Sequence, residues 1–204
     1  MRERGVHPIE RESYRRLREA IDLSGLPPLS RAVAERVIHA TADLGYAGDL
    51  VLDEDALRAG LSALRAGAPV VVDTRMVAAG VTGLKTICGL DSSSPVAPER
   101  GARPHLGGIM GETRSAAGIR LASARAGPGA VYAIGCAPTA LEALLTLDAR
   151  PALVIGLPVG FVGAVESKEA LRASGLPACT NRGPKGGAAA TAAALNALRY
   201  FQEG

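Results

Sequence analysis

The sequence predicts an α/β protein: a three-layer α/β/α sandwich around a five-stranded parallel sheet, preceded by N-terminal helices. Three observations predict it. From residue 67 onward short β-rich runs alternate with helical patterns, and parallel strands need such crossover helices. The runs are apolar without alternation, as in Val70, Val71 and Val72 or Leu153, Val154 and Ile155, which suits strands covered on both faces. Before residue 67 the texture is helical only. The 204 residues suit one domain, with residues 1–66 as a helical N-terminal segment and 67–204 as the parallel α/β segment.

In chain order, residues 8–21 are charged, with Ile9, Leu17, Ala20 and Ile21 near helical spacing, and a breaker cluster at 25–28 ends that helix. Ser30 is expected to cap a second helix, whose periodic set Val33, Val37, Ile38, Thr41 and Leu44 runs to Gly45. A third helix covers about 53–66. It opens on Asp53, Glu54 and Asp55, whose charges suit a helix N-terminus, and closes at Gly67. Strands are expected at 69–73, 86–89, 130–135, 152–157 and 177–180, and helices between them at 74–80, 113–126, 139–147, 167–174 and 187–201. Right-handed crossovers fold such a series into the sandwich, with a flavodoxin-like strand order as the expected topology.

Composition narrows the function classes. With 48% hydrophobic and 21% charged residues the chain is not disordered. Aromatics are few (no Trp, four Tyr, two Phe), which argues against a nucleic-acid reader built on stacking platforms. A net charge of +3 conceals 20 Arg against 3 Lys, and Arg is the residue suited to bidentate carboxylate or phosphate contacts, although lineage bias would leave the same imprint. Three cysteines without a CxxC pair make a disulfide framework unexpected and a reducing cytoplasm the natural setting. Residues 1–12 are charged and lack the apolar core of a signal peptide. The longest apolar stretch, 151–165, holds two prolines and three glycines and is too short to span a bilayer.

In open parallel sheets ligands lie beyond the carboxyl ends of the strands. There the sequence places Asp73-Thr74-Arg75-Met76, Gly135-Cys136-Ala137-Pro138-Thr139, the glycine-rich run 156–163 leading to Glu166, Ser167 and Lys168, and Asn181-Arg182-Gly183-Pro184-Lys185-Gly186-Gly187. Glycine-rich turns that feed helix N-termini present N–H groups to anions. The 183–187 stretch lacks the GxxxxGK[ST] order of a phosphate-binding loop, no GxGxxG opens the first strand–helix unit, and no GxSxG elbow occurs. His7, His39 and His105 stand far apart and show no metal-ligand spacing, so no metal site is expected. His39, in Val37-Ile38-His39-Ala40-Thr41, lies beside the apolar stripe of its helix. It reads either as a satisfied structural histidine or as a group that exchanges protons near neutrality. Arg114 opens a helix, where a cation opposes the macrodipole; an anionic partner and a plain surface arginine both fit.

Taken together, these segments resemble the precorrin-8X methylmutase family, including its cobalt-precorrin-8 counterpart. The matching residues are Ile9, Ser13 and Tyr14; Val37-Ile38-His39-Ala40; Gly67-Ala68-Pro69-Val70 with Asp73-Thr74-Arg75-Met76-Val77; and Glu112-Thr113-Arg114-Ser115-Ala116-Ala117. They continue through Ala133-Ile134-Gly135-Cys136-Ala137-Pro138-Thr139-Ala140-Leu141 and the long run Gly156-Leu157-Pro158-Val159-Gly160-Phe161-Val162-Gly163-Ala164-Val165-Glu166-Ser167-Lys168, to Gly186-Gly187 and Thr191-Ala192-Ala193-Ala194-Leu195-Asn196. They fall in order over nearly the whole chain.

The resemblance implies a flavodoxin-like homodimer in the cytoplasm that needs no cofactor and contacts neither nucleic acid nor membrane. Its implied activity moves a methyl group from C-11 to C-12 of a tetrapyrrole, precorrin-8X or cobalt-precorrin-8. His39 is implied as proton donor and acceptor. Ser13, Thr82, Thr113, Arg114 and Ser115 are implied substrate contacts, with Lys168, Arg182 and Lys185 as further cations on the anion-friendly rim. Two departures stand out. Cys136 occupies a position where the family usually has Asn, and Gly183-Pro184-Lys185-Gly186-Gly187-Ala188 replaces the usual G-R-K-G-G-S, removing one cation and one hydroxyl. A puckered macrocycle edged with carboxylates can lie on small Ala and Gly surfaces while arginines hold its edge, which suits a chain with 38 Ala, 25 Gly and few flat side chains. A non-catalytic corrinoid carrier and a generic nucleotide binder of the same fold remain the alternatives.

Overall fold

The computed structural model describes residues 7–91 and 112–202; residues 1–6 and His105, both used above, lie outside them. The described residues form one six-stranded sheet. Its strands are β1 (Leu50–Leu52), β2 (Val70–Val72), β3 (Thr86–Cys88), β4 (Val131–Ile134), β5 (Leu153–Gly156) and β6 (Ala178–Asn181), in the spatial order β1-β6-β5-β4-β2-β3. β2 to β6 run parallel, and these five taken alone follow the 2-1-3-4-5 order of a flavodoxin-like sheet. β1 is an added edge, antiparallel to β6 with Leu50 opposite Asn181.

All residues of β2, β4 and β5 are buried, and successive side chains go to opposite faces. Val70, Val72, Val131, Ala133, Leu153 and Ile155 enter one core with the helices α2 (Pro28–Thr41), α4 (Glu54–Arg65), α5 (Arg75–Gly80) and α9 (Ala188–Tyr200). Val71, Tyr132, Ile134 and Val154 enter the other, with α6 (Arg114–Ala126), α7 (Pro138–Leu145) and α8 (Ala164–Ala173). The short helix α3 (Tyr46–Asp49) leads into β1, and α1 (Pro8–Ala20) lies outside the sandwich, against α2.

The expected elements correspond closely, and the differences have local causes. Ser30 does not cap α2. The helix starts at Pro28, and the carboxylate of Glu54, from the first turn of α4, accepts hydrogen bonds from Leu29 N (3.1 Å), Ser30 N (2.9 Å) and Ser30 Oγ (2.8 Å). Proline suits the first helical position because it has no N–H to satisfy. α2 stops at Thr41, where Ala42 turns left-handed (φ 52°), so Leu44 is exposed instead of completing the stripe. α8 begins three residues before Ser167, at a Gly163 with φ 76°. Asp53 is the cap of α4 rather than its first residue, accepting from Asp55 N and Ala56 N. Neither α3 nor β1 is announced by the sequence pattern.

Candidate functional site

The sequence of α2 puts Glu35, Arg36 and His39 on neighbouring turns, and α1 crosses that face. α1 is amphipathic mainly in charge, with Leu17 as its one buried residue. Arg18 donates to both oxygens of Glu35 (2.9 and 2.7 Å), while Arg36 donates to Glu10 (2.8 Å) and to the hydroxyl of Tyr14 (3.3 Å). This docking brings Ser13 Oγ to 2.9 Å from Nδ1 of His39 and stacks the Tyr14 ring on the imidazole, with centroids 4.6 Å apart and planes 11° from parallel. Burial pushes the Tyr14 phenol above its ordinary value, against the pull of Arg36, so it stays a neutral ring. A cleft of about 260 Å³ opens beside this seam, lined by Tyr14, Arg18, Glu35, Arg36, Asn196 and Tyr200 among others.

His39 lies in the last turn of α2, and that end is tied to the carboxyl edge of the sheet. Lys185, in the turn after β6, pairs with Asp43 (3.0 Å) and Asp49 (2.6 Å), and its ammonium stands 5.0 Å over the Tyr46 ring. The Asp49 carboxylate, helped by Asp43, holds the Lys185 ammonium above its ordinary value. Arg182, in the same turn, is exposed, and no ion pair engages its guanidinium among the described residues. Its backbone N–H donates to Asp49 O (2.8 Å).

Lys168 does not stand on the rim. It is fully buried, and its ammonium donates to Asn181 Oδ1 (3.1 Å) and to the carbonyl of Lys185 (2.7 Å). Burial, with the nearby Arg172, pushes it down to about 8. It braces the turn that carries Lys185, and Asn181 Nδ2 does the same by donating to the carbonyls of Arg182 and Lys185 (both 2.9 Å).

Thr113, Arg114 and Ser115 begin α6, in the layer across the sheet from His39. Thr113 caps the helix by accepting from Ala116 N (3.2 Å), and its hydroxyl meets that of Thr139 at 2.8 Å. Arg114 is exposed and Ser115 half-buried. Thr82 follows α5; its N–H and hydroxyl donate to Asn196 Oδ1 (3.0 and 3.2 Å), and its Oγ1 accepts from Tyr200 OH (3.0 Å), next to the cleft. The structure thus joins Ser13 to His39, ties Thr82 to Asn196 and Tyr200, which line the cleft beside Tyr14, and keeps Thr113, Arg114 and Ser115 apart from both. Sequence reasoning misses Tyr14 and Arg36 as site residues. Tyr14 had a signal, since an aromatic in a chain with six stands beside Ser13; Arg36 had none, because only the crossing of α1 reveals it. Cys136, the departure after β4, accepts a hydrogen bond from Thr74 Oγ1 (3.1 Å), and burial pushes its thiol up. Among the described residues no three of His, Cys, Asp and Glu converge as a metal site would need, and no helix is long and apolar enough to cross a membrane.

Fold and site define an α/β protein in which a partly buried histidine is held between a serine hydroxyl and a stacked tyrosine ring, on a helix whose end is tied to the glycine-rich turn after β6. The precorrin-8X methylmutase family profile matches residues 8–201. The chain is 42% identical over 207 residues to a precorrin-8X methylmutase of Pseudomonas aeruginosa, covering 96% of this chain and 95% of that protein. It is 38% identical over 205 residues to a cobalt-precorrin-8 methylmutase of Priestia megaterium, covering 96% and 88%. A crystal structure of a precorrin-8x methyl mutase from Thermus thermophilus superposes with a TM-score of 0.76 at 36% identity, covering 94% of this chain and 96% of that one. The chain belongs to the precorrin-8X methylmutase family, methyl-transferring isomerases of cobalamin biosynthesis.

Proposed function

We propose that the protein isomerises precorrin-8X to hydrogenobyrinate, or the cobalt equivalent to cobyrinate, by moving a methyl group from C-11 to C-12 with His39 as proton donor and acceptor. The observation that carries this reading is the Ser13–His39–Tyr14 arrangement. Protonation of the conjugated macrocycle, at a ring nitrogen for instance, makes it electron-poor and eases the shift. The bond from the methyl carbon to C-11 breaks as the bond to C-12 forms, and the proton then returns to the imidazole. No electrons are gained or lost, so the reaction calls for no redox cofactor. A histidine serves both directions of proton transfer near neutral pH. The Ser13 hydroxyl suits that cycle because it can donate to Nδ1 or accept from it, leaving Nε2 free to carry or receive the proton. Tyr14 holds the ring plane.

Ser13, Thr82, Thr113, Arg114 and Ser115 are proposed substrate contacts, with Arg182 and Lys185 on the rim and Lys168 as the buried brace beneath it. The cleft of about 260 Å³ beside Tyr14 and Arg36 falls below the roughly 300–1,000 Å³ of ordinary ligand sites, which supports further walls from a second copy of the chain, a homodimer. The helical segment of residues 1–66 and the parallel segment of residues 67–204 act as one domain, in the cytoplasm.

The test is to incubate the purified protein with metal-free and with cobalt-bearing substrate and follow the visible spectrum. Wild type converts at least one of them. His39→Ala loses turnover by about 10²–10⁴-fold while still binding the coloured corrinoid. Full activity in that variant removes the assigned mechanism. Binding without turnover by wild type on either substrate makes the protein a carrier.

A further inference from the structure

Between β2 and β4 the strand order reverses, and at such a point an open α/β sheet offers a ligand crevice. Here an acidic side chain of the protein itself stands at that point. Asp73, the residue after β2, is 2% exposed; its Oδ1 accepts from Gly135 N (3.2 Å), and its Oδ2 from Cys136 N (2.7 Å) and Ala137 N (2.8 Å). Three consecutive N–H groups turned to one point form an anion-binding concavity, and a side-chain carboxylate occupies it. Burial pushes this carboxyl above its ordinary value and the N–H donors pull it back. The turn lies close against α9, an approach that requires glycine, since a Cβ at Gly135 would stand 2.5 Å from Thr191 Oγ1. From the turn the connection continues outward. Ala137 is the cap position of α7, Thr139 lies in its first turn, and Thr139 Oγ1 meets Thr113 Oγ1, the cap of α6, whose next residue is the exposed Arg114.

We propose that Asp73 is a positioning residue for substrate binding: by holding the 135–137 turn it sets, through Thr139 and Thr113, how the first turn of α6 presents Arg114 to a carboxylate of the tetrapyrrole. This rests on the reading of Arg114 given above. It concerns binding and not the proton step, because His39 is on α2, across the sheet from α6 and α7, and its hydrogen bond among the described residues goes to Ser13 and not to this chain of bonds.

Steady-state kinetics on the full chain test it. Asp73→Ala raises KM about 10-fold, as expected for losing a charge-assisted set of hydrogen bonds, with kcat within about twofold of wild type. Formate at tens of millimolar replaces the missing carboxylate and lowers KM again in Asp73→Ala, but not in wild type. Thr139→Val leaves Asp73 and its turn intact, raises KM about threefold, and is indifferent to formate; it decides the matter if Asp73→Ala fails to fold. In Asp73→Ala/Arg114→Ala, KM is no higher than in Arg114→Ala alone. A fall in kcat at unchanged KM, fully additive effects, or no response to formate overturns the proposal. If Arg114→Ala by itself leaves KM unchanged while Asp73→Ala raises it, the assignment of Arg114 fails and the route through it falls too, leaving the His39 chemistry untouched.

Discussion

α1 and α9 both pack against α2, and they do so by opposite means. α9 buries every residue from 190 to 198, most of them alanines that let its backbone approach closely. α1 buries Leu17 alone and is otherwise held by Arg18–Glu35, Arg36–Glu10 and the two contacts to His39. Apolar burial contributes on the order of 25 cal/mol per Å², whereas half-exposed ion pairs contribute about 0.2–1 kcal/mol each. The fold is therefore secured on the α9 side of α2, and the seam that completes the histidine site lies on the weakly held side. Segments that take part in binding are commonly drawn from that low-stability end. The difference separates what stabilises the sandwich from what orients His39.

The contrast can be broken from either side. The largest effect is expected from Ala194→Leu on α9, a fully buried position where three added carbons force repacking. Global stability falls by about 1–3 kcal/mol, read as a lower denaturant midpoint by circular dichroism. An unchanged midpoint would show that α9 is not the tightly packed helix. Next comes Arg36→Met, which removes the bonds to Glu10 and Tyr14. The pair is about one-third exposed on each side, so the global midpoint moves by less than about 1 kcal/mol. Trypsin then cuts faster after Arg15 and Arg16, and turnover drops several-fold. Equal losses of midpoint and of protease resistance would instead join α1 to the global unit.

The smallest effect concerns the other end of α2. Burial pushes the Glu54 carboxyl up, but the bonds from Ser30 and Leu29, with Arg58 nearby, outweigh it and hold the group below its ordinary value. A lowered folded-state pKa means that this stabilisation is present above the ordinary glutamate value and disappears as pH falls through the lowered one. Glu54→Gln is thus expected to narrow the gap to wild type as the pH of a thermal melt is taken below about 4, where the carboxylate is being lost in wild type as well. A gap that widens on acidification would contradict the sign.

The parallel strands were legible because three or four consecutive apolar residues are what a doubly covered strand requires, and β2, β4 and β5 supply them. β1 was not. Its three residues are half-buried and gain their order from pairing with β6, which no local pattern announces. Ser30 has the chemistry of a cap, but the cap came from Glu54, 24 residues away in the chain. At the site, the identities of Ser13 and His39 were readable and their contact was not, since 26 residues separate them and only the crossing of α1 over α2 closes the distance. Lys168 looked like a rim cation because its partners, an asparagine and a backbone carbonyl, carry no charge that a sequence would reveal. Asp73 was visible as an acid after three valines, but the three N–H groups that it holds belong to a turn 62 to 64 residues later.

The stacking of Tyr14 on His39 also gives the protein an optical reporter. With no tryptophan in the chain, excitation energy absorbed by its four tyrosines is not drained to an indole, and phenol emission stays observable. A ring in face contact with an imidazole loses part of that emission by charge transfer when the imidazole becomes cationic, and among the described residues Tyr14 is the tyrosine in face contact with one. Fluorescence against pH, compared between wild type and Tyr14→Leu, would follow the charge of His39 without substrate or label.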